Sequence, residues 1–501
     1  MSDAFYHWRR NALSHIAEKL LLTLSMRLAW KSAKQDSDLD GDSFFHSSQH
    51  SDFYPSQSGA LSLSGLGQAG SIEDFNPLYP NKGIAYGAHF GLLQKQYPVH
   101  CLENGIYYIS RYEDIQSVSK NTAGYSSRFV AILGSLAEKA EVEKIGRRLQ
   151  LLANIGLAPD NVLGMSDPPT HTQQRELLEL FFSNGALEPL EGMAQTLAHE
   201  LVQNALQRER IDFVSQIGWP HTVRLLCRVF GLPEKDYPLL WQWCKQLFKT
   251  PLGRKNVSHL ALQYSVILRV MRYMWARYDE KSNERSRDLI GILQRACRIP
   301  STGMHDVQVV GIVFQSLIGG AEPSVSALTG ALRLLIENPG MAEVVRNNLD
   351  EKLDPFIEEV LRLDSPYQGH FRWVQQDGVS LHGVALPKNA RVYISWAAAN
   401  RDASVFPNPE AIDLNRPNGK QHLGFGYGVH ECLGAHLVRL QMRVVLREIL
   451  TMTKNLRFES PPDCTLSMFS RNYERMPIGF EPRETGDTLS PAVASKRPRM
   501  R

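Results

Sequence analysis

Cysteine is sparse and scattered in this 501-residue chain: Cys101, Cys227, Cys244, Cys297, Cys432 and Cys464, with no CxxC pair among them. That excludes a closely spaced zinc site. With no secretory signal ahead of them, it also argues against a disulfide framework, so an intracellular, reducing location is expected. Net charge is small, +3 from 55 Lys+Arg against 52 Asp+Glu. The basic residues are dispersed rather than blocked, so nucleic acid is not the expected partner. No internal repeat is visible. At 43% hydrophobic and 21% charged residues, the chain can bury a sizeable core and is neither membrane-embedded nor disordered in composition.

What is present begins with a basic amphipathic segment, residues 1–34, containing "RRNALSHIAEKLLLTLSMRLAWKSAK". Its longest uncharged run, residues 20–26, is far short of the roughly 20 residues needed to cross a bilayer. Two readings stay open: a helix on a membrane surface or a targeting presequence, and a helix packed on the main domain, which Asp3 and Glu18 favour. The corresponding location is cytoplasmic, with peripheral membrane association through residues 5–34 as the alternative. Residues 35–72, rich in Ser, Gly and Asp, read as a flexible linker. Residues 73–484 form the folded domain, and residues 485–501 read as a disordered tail. Within the domain, a hairpin is predicted around "ENG" at residues 103–105, followed by a helix from Tyr112. Helical periodicity then dominates from residue 167 to 336. Strand-like segments "HFRWVQQDGVSLHGVALP" and "ARVYISWAAAN" are expected to pair locally, ahead of a last long helix. The fold class is mainly α with small β-sheets.

The most informative stretch is "HLGFGYGVHECLGAHLVRLQ", residues 422–441. Gly424, Gly426 and Gly428 let the backbone turn sharply and approach something bulky, and the loop delivers Cys432 to the start of a helix. Unpaired amide donors and the helix dipole there are expected to favour a thiolate, and such a thiolate suits axial ligation of haem iron. Upstream, "EVLR" places Glu359 and Arg362 one helical turn apart, where they can pair or decorate the surface.

The pattern Phe425-Gly-Tyr-Gly-Val-His-Glu-Cys432-Leu-Gly434 resembles the cysteine-loop signature of the cytochrome P450 family, in its soluble, bacterial-like branch. The resemblance runs from about residue 76 to 482 and is strongest from 359 to 439. It implies haem b bound through Cys432, with Phe425, Gly426 and Gly434 shaping the cofactor loop. It also implies that Glu359 and Arg362, completed by Arg416 in "DLNRP", lock the haem-binding core. His171 and Arg175 in "DPPTHTQQR", Arg372 in "HFRW" and His422 match the family's propionate contacts. The activity implied is that of a monooxygenase acting on a small organic substrate, of secondary-metabolite type.

The helix containing "IGGAEPSVS", residues 318–326, then matches the family's long distal helix. In its register Gly319, Gly320, Ala321 and Glu322 are followed by Pro323, where the family places a threonine whose hydroxyl assists proton delivery. Ser324, one residue on, is a substitute only if the helix is locally distorted, and the glycines and proline are known causes of kinks. Three explanations compete: the substrate supplies the missing polar group, Glu322 and water relay protons, or standard monooxygenation is not needed. The Glu-Pro pair also resembles the helix of the family member that oxidises a cyclic dipeptide in pulcherriminic acid biosynthesis. No flavin or iron-sulfur domain fits into the chain, so a separate ferredoxin or flavoprotein reductase is expected as partner. Arg439, Arg443 and Arg447, at four-residue spacing, form either a docking patch for it or a solvated face. A haem-thiolate isomerase, dehydratase or peroxygenase, and a non-catalytic haem sensor, are the alternative functions.

Overall fold

The structure is a computed structural model. It describes residues 86–483 except 103–104, 129–161, 180, 209, 249–256, 282–285 and 467–468, together with residues 72, 75 and 77. The amino-terminal segment 1–34, nearly all of the 35–72 linker and the 485–501 tail lie outside the described residues.

In chain order the helices are α1 (Tyr86–Gln96), α2 (Tyr112–Lys120), α3 (Thr170–Glu179), α4 (Asn184–Leu206), α5 (Trp219–Phe230), α6 (Tyr237–Phe248), α7 (Val257–Glu280), α8 (Leu289–Cys297), α9 (Asp306–Glu337), α10 (Pro339–Asn347), α11 (Leu349–Asp364), α12 (Trp396–Ala399) and α13 (Ala435–Met452). The strands are β1 (Val99–Cys101), β2 (Ile106–Ile109), β3 (Tyr125–Ser126), β4 (Arg210–Asp212), β5 (His370–Val374), β6 (Val379–Leu381), β7 (Val384–Leu386), β8 (Arg391–Ile394), β9 (Thr453–Phe458), β10 (Asp463–Leu466), β11 (Arg471–Arg475) and β12 (Pro477–Pro482).

The architecture is organised on α9, whose apolar residues Val309, Val313, Leu317, Leu328, Leu332 and Leu335 are all buried. Helices α5 to α8, α11 and α13 pack around it, giving one large helical core. By composition alone this helix is long and apolar enough to cross a membrane, but 67% of its most apolar window is buried within the protein. Its polar residues tie neighbours together. Arg333 pairs at 2.9 Å with the fully buried Asp364 at the end of α11, and Arg471 on β11 reaches the same carboxylate at 3.2 Å. Gly330 is required beneath them, because a Cβ there would lie 2.1 Å from Asp364 Oδ2.

The predicted hairpin is present, with Val99 opposite Ile109, and α2 starts at Tyr112 as expected. The strand-like segments after α11 pair locally as expected, β6 with β7 and β5 with β8, but the sheet also joins strands far apart in the chain. β2 pairs in parallel with β8, within a sheet ordered β1-β2-β8-β5-β3, and β12 bridges β4 and β9. Both faces of β2 and β8 are buried: Ile106, Tyr108 and Tyr393 pack with Phe371 in one core, while Ile109, Val392 and Ile394 enter another. Burial of a strand face fixes register without regard to distance along the chain.

Candidate active site

The loop before α13 carries Cys432. Gly426 and Gly428 have φ of 77° and 73°, which L side chains rarely adopt. A Cβ on Gly424 would come 2.7 Å from the Leu361 carbonyl oxygen, so the loop lies directly on α11. Cys432 N–H donates to the Phe425 carbonyl at 2.8 Å, closing the loop so that its sulfur stands at the mouth of α13. The side chain is accessible to solvent, yet surrounding protein desolvates it enough to raise its pKa above the usual thiol value. The Gly434 amide, Arg175 and Arg439 oppose that rise without overcoming it. Accessible but desolvated describes the wall of an internal cleft. The expected thiolate is therefore not made by the helix terminus alone: desolvation outweighs the dipole, and deprotonation needs a bound cation, as metal coordination provides.

Near this sulfur the protein gathers a buried guanidinium and two imidazoles that burial keeps uncharged. His171 on α3 and His430 of the cysteine loop lie ring to ring at 4.2 Å. Both ring nitrogens of His430 and Nδ1 of His171 are buried with no hydrogen-bond partner among the described residues. Burial, then Arg372 and His171, push His430 down to about 2, and burial, then Arg175, pushes His171 down to about 4. Arg372 on β5 is 4% exposed. Its guanidinium contacts the Phe371 carbonyl at 2.8 Å and His370 Nδ1 at 3.2 Å, and burial lowers its pKa to about 10. Asp167 acts on Arg372 only at longer range, and a buried guanidinium without a paired carboxylate is expensive. These groups fit a bound anion that supplies the missing charge and acceptors.

Two of the expected anion contacts are placed differently. His422 is buried with Nε2 on Glu358 at 3.0 Å and Nδ1 accepting the Gly424 amide at 3.0 Å. Both of its nitrogens are engaged within the protein, so the expected propionate contact is corrected to a structural one. Arg175 pairs with Glu179 at 2.8 Å and donates to the carbonyls of Val429 and Glu431, which holds the cysteine loop against α3. His430 is the residue that sequence reasoning passed over, although it stands inside the quoted signature two positions before Cys432.

Behind the loop, Glu359 accepts both guanidinium arms of Arg362, at 2.8 and 2.9 Å, and Arg416 Nε at 3.0 Å. Arg362 is completely buried and also donates to the carbonyls of Asn400, Pro409 and Ala411. The triad thus fastens the irregular segment 400–416 to α11. The neighbouring Glu358 binds Arg439 at 2.7 and 2.8 Å. Burial alone would raise Glu358, but Arg439 and His422 bring it down to about 2. Arg443 and Arg447 pair likewise with Asp354 and Asp350, at 2.8 and 2.9 Å. The three arginines do share one face of α13, but each is matched to an acid of α11, so they form a ladder between helices rather than an uncompensated docking patch.

On the other side, α9 runs unbroken through Pro323. Proline there leaves the Gly319 carbonyl without its helical donor and crowds it. The crowding falls on a glycine whose added Cβ would meet nothing within 4 Å. Gly319 is exposed in the middle of an otherwise buried helix, while the Cβ position of Gly320 packs 3.5 Å from Leu226. Ser324 Oγ donates to the Gly320 carbonyl at 2.6 Å. Its hydroxyl is turned back on its own helix, which is not distorted enough to bring it into the threonine's place. Glu322 is 4% exposed, and burial holds its carboxyl well above the usual range.

A desolvated thiol, a buried guanidinium with unpartnered imidazoles beside it, and a long helix opened by glycine fit a protein that encloses an anionic, metal-bearing prosthetic group. The Cytochrome P450 family profile matches residues 226–473. Cytochrome P450 109 of Bacillus spizizenii is 30% identical over 352 residues, covering 69% of this chain and 78% of that protein. Cytochrome P450 144 of Mycobacterium tuberculosis is 27% identical over 414 residues, 82% and 90% of the respective chains. Among solved structures, CYP109E1 from Bacillus megaterium in complex with testosterone superposes with a TM-score of 0.69 at 24% identity, over 81% of this chain and 98% of that one. Cytochrome P450 CREJ in complex with (4-ethylphenyl) dihydrogen phosphate gives 0.71 at 19% identity, over 84% and 100%. The chain belongs to the cytochrome P450 family. It is a monooxygenase of that family, with haem b as cofactor and a cysteine thiolate as the axial ligand.

Proposed function

We propose that Cys432 is the axial ligand, that His171, His430 and Arg372 hold the haem carboxylates, and that the enzyme oxidises a small organic substrate of secondary-metabolite type. The observation that carries this reading is the buried Arg372 beside the cysteine loop, which forms no ion pair among the described residues, together with the unpartnered ring nitrogens of His430 and Nδ1 of His171. The haem, when bound, supplies an iron centre whose thiolate ligand donates electron density and favours O–O bond cleavage. The protein's own residues do the rest. The loop glycines and the Glu359–Arg362–Arg416 triad fix the sulfur, the α9 glycines open the helix toward the cleft, and the helical core excludes bulk water. Residues 367–370 and 469–472 are the substrate-facing segments in this reading, with Tyr367 and Phe469 rings 6.3 Å apart.

The secondary-metabolite class is supported by the likeness, 28% over 390 residues, to the mycinamicin IV hydroxylase/epoxidase of Micromonospora griseorubida. Electrons come from a separate ferredoxin or flavoprotein reductase, and the location is cytoplasmic. The test is oxidation in the presence of such partners and isotopically labelled dioxygen. Label in the product and substrate-dependent consumption of NAD(P)H support the reading. Conversion of substrate without either overturns it in favour of an isomerase or dehydratase.

A further inference from the structure

The distal helix carries an acid but lacks the hydroxyl expected beside it, and a hydroxyl reaches that acid from another part of the chain. Ser470 Oγ donates to Glu322 Oε1 at 3.3 Å across 148 positions, and Ser470 is 3% exposed. It is anchored twice. Its backbone bridges Tyr367, and Asn472 Nδ2 donates to its oxygen at 2.9 Å. Asn472 in turn meets Ser326 Oγ at 3.3 Å, one turn beyond Glu322 on α9, and Ser326 also donates to the Arg471 carbonyl. The hairpin of β10 and β11 is therefore stitched to the same two turns of α9 that flank Pro323.

The second oxygen of Glu322, Oε2, is buried without a partner among the described residues. The titratable groups acting on this carboxyl are Glu474 on β11, Cys244 on α6 and Tyr367. All three are acids, and none stabilises a carboxylate. Burial raises the pKa of this carboxyl and so favours its acid form, against the weaker pull of the Ser470 hydrogen bond, with Glu474 adding to the rise. With Oε1 accepting from Ser470, the acid proton belongs on Oε2. Within α9 the nearest alternative, Ser324, spends its hydroxyl on Gly320.

We propose that Ser470 is a positioning residue that supplies, from the C-terminal hairpin, the hydroxyl partner that Pro323 denies to the distal helix, fixing Glu322 with its O–H on Oε2 as the proton source of the distal pocket. The acid and alcohol that the family places side by side on one helix are here divided between two elements. Each proton leaving Oε2 goes to the oxygen being reduced to water and is replaced from solvent. The proposal rests on the haem-thiolate reading above.

Its test combines a spectrum with a yield. In the substrate-free protein at neutral pH, the infrared C=O band of a protonated carboxyl is present, and it disappears in Glu322→Gln. Ser470→Ala moves that band to higher wavenumber, and Ser470→Thr leaves it in place. Product formed per electron falls about two- to tenfold in Ser470→Ala, the worth of one net hydrogen bond. Peroxide release rises to match, Ser470→Thr retains the yield, and Pro323→Thr placed in the Ser470→Ala background restores it. A band absent from the wild-type protein, or unmoved in Ser470→Ala, overturns the proposal, as does an unchanged yield. All variants keep the thiolate-type spectrum of the reduced CO complex. Loss of that spectrum in the wild type refutes the family reading instead, so the two failures are distinct.

Discussion

Glu359→Ala removes the single acid that lies between Arg362 and Arg416, side chains 0% and 4% exposed. Both guanidinium groups stay buried, because Arg362 is also held by the carbonyls of Asn400, Pro409 and Ala411 and Arg416 by that of Pro407. Breaking a buried ion pair by deleting one partner costs about 3–5 kcal/mol, against a total stability of about 5–15 kcal/mol for a folded domain. The folded-to-unfolded ratio should fall by about two to four powers of ten. The loss concentrates in the segment 400–416 that the cysteine loop follows. Glu359→Gln keeps one acceptor and should lose less, while Arg362→Lys loses the bidentate geometry and the fan of carbonyl contacts. The assay is guanidinium unfolding of the haem protein followed in parallel by the Soret band and tryptophan fluorescence. For Glu359→Ala, haem release should precede global unfolding at a much lower denaturant concentration than in the wild type. A change of less than about 1 kcal/mol, the size of an ordinary surface substitution, would refute the claim that this triad fastens the haem-binding core.

Other outcomes follow from the same geometry. His430→Ala should speed haem transfer to an apo-globin acceptor by about ten- to a hundredfold, the worth of one charge-assisted hydrogen bond; His422→Ala should leave that rate nearly unchanged while lowering unfolding stability. Glu358, held at about 2 in the fold against 4.5 ordinarily, has a depressed pKa, so its contribution is complete above pH 4.5 and is lost as pH falls toward 2. The stability gap between wild type and Glu358→Gln, measured by denaturation at a series of pH values, should therefore be constant near neutrality and close through that window. Arg443→Glu and Arg447→Glu should each cost less than about 1 kcal/mol, as half-exposed pairs do, and should leave the rate of reduction by an acidic ferredoxin nearly unchanged, because those charges are already matched within the protein.

What could be read from the sequence was whatever is written in contiguous residues. The cysteine signature and "EVLR" fix local geometry within one loop and one helical turn, and Arg416 sits a short distance before the loop in the sequence. The sequence reading points to His422 and not to His430. Both flank the same glycines, and only the packing of α11, which places Glu358 under His422, decides which ring is spent internally. The parallel pairing of β2 with β8 depends on burial of strand faces far apart in the chain. The pairing of Ser470 with Glu322 leaves no trace in spacing, since 148 residues separate a hairpin serine from a helix glutamate. Pro323 pointed to a missing hydroxyl but carried no information about where a replacement stands. The alternating arginines of α13 read equally as patch or ladder until α11 supplied Asp350, Asp354 and Glu358.

The most direct measurement of the central claim is the absorption spectrum of the dithionite-reduced protein under carbon monoxide, for the wild type and for Cys432→Ala. The account predicts the red-shifted Soret band of a thiolate-ligated haem in the wild type and its loss in the variant. A band at the position of histidine-ligated haem in the wild type, or a thiolate-type band that survives Cys432→Ala, would contradict it.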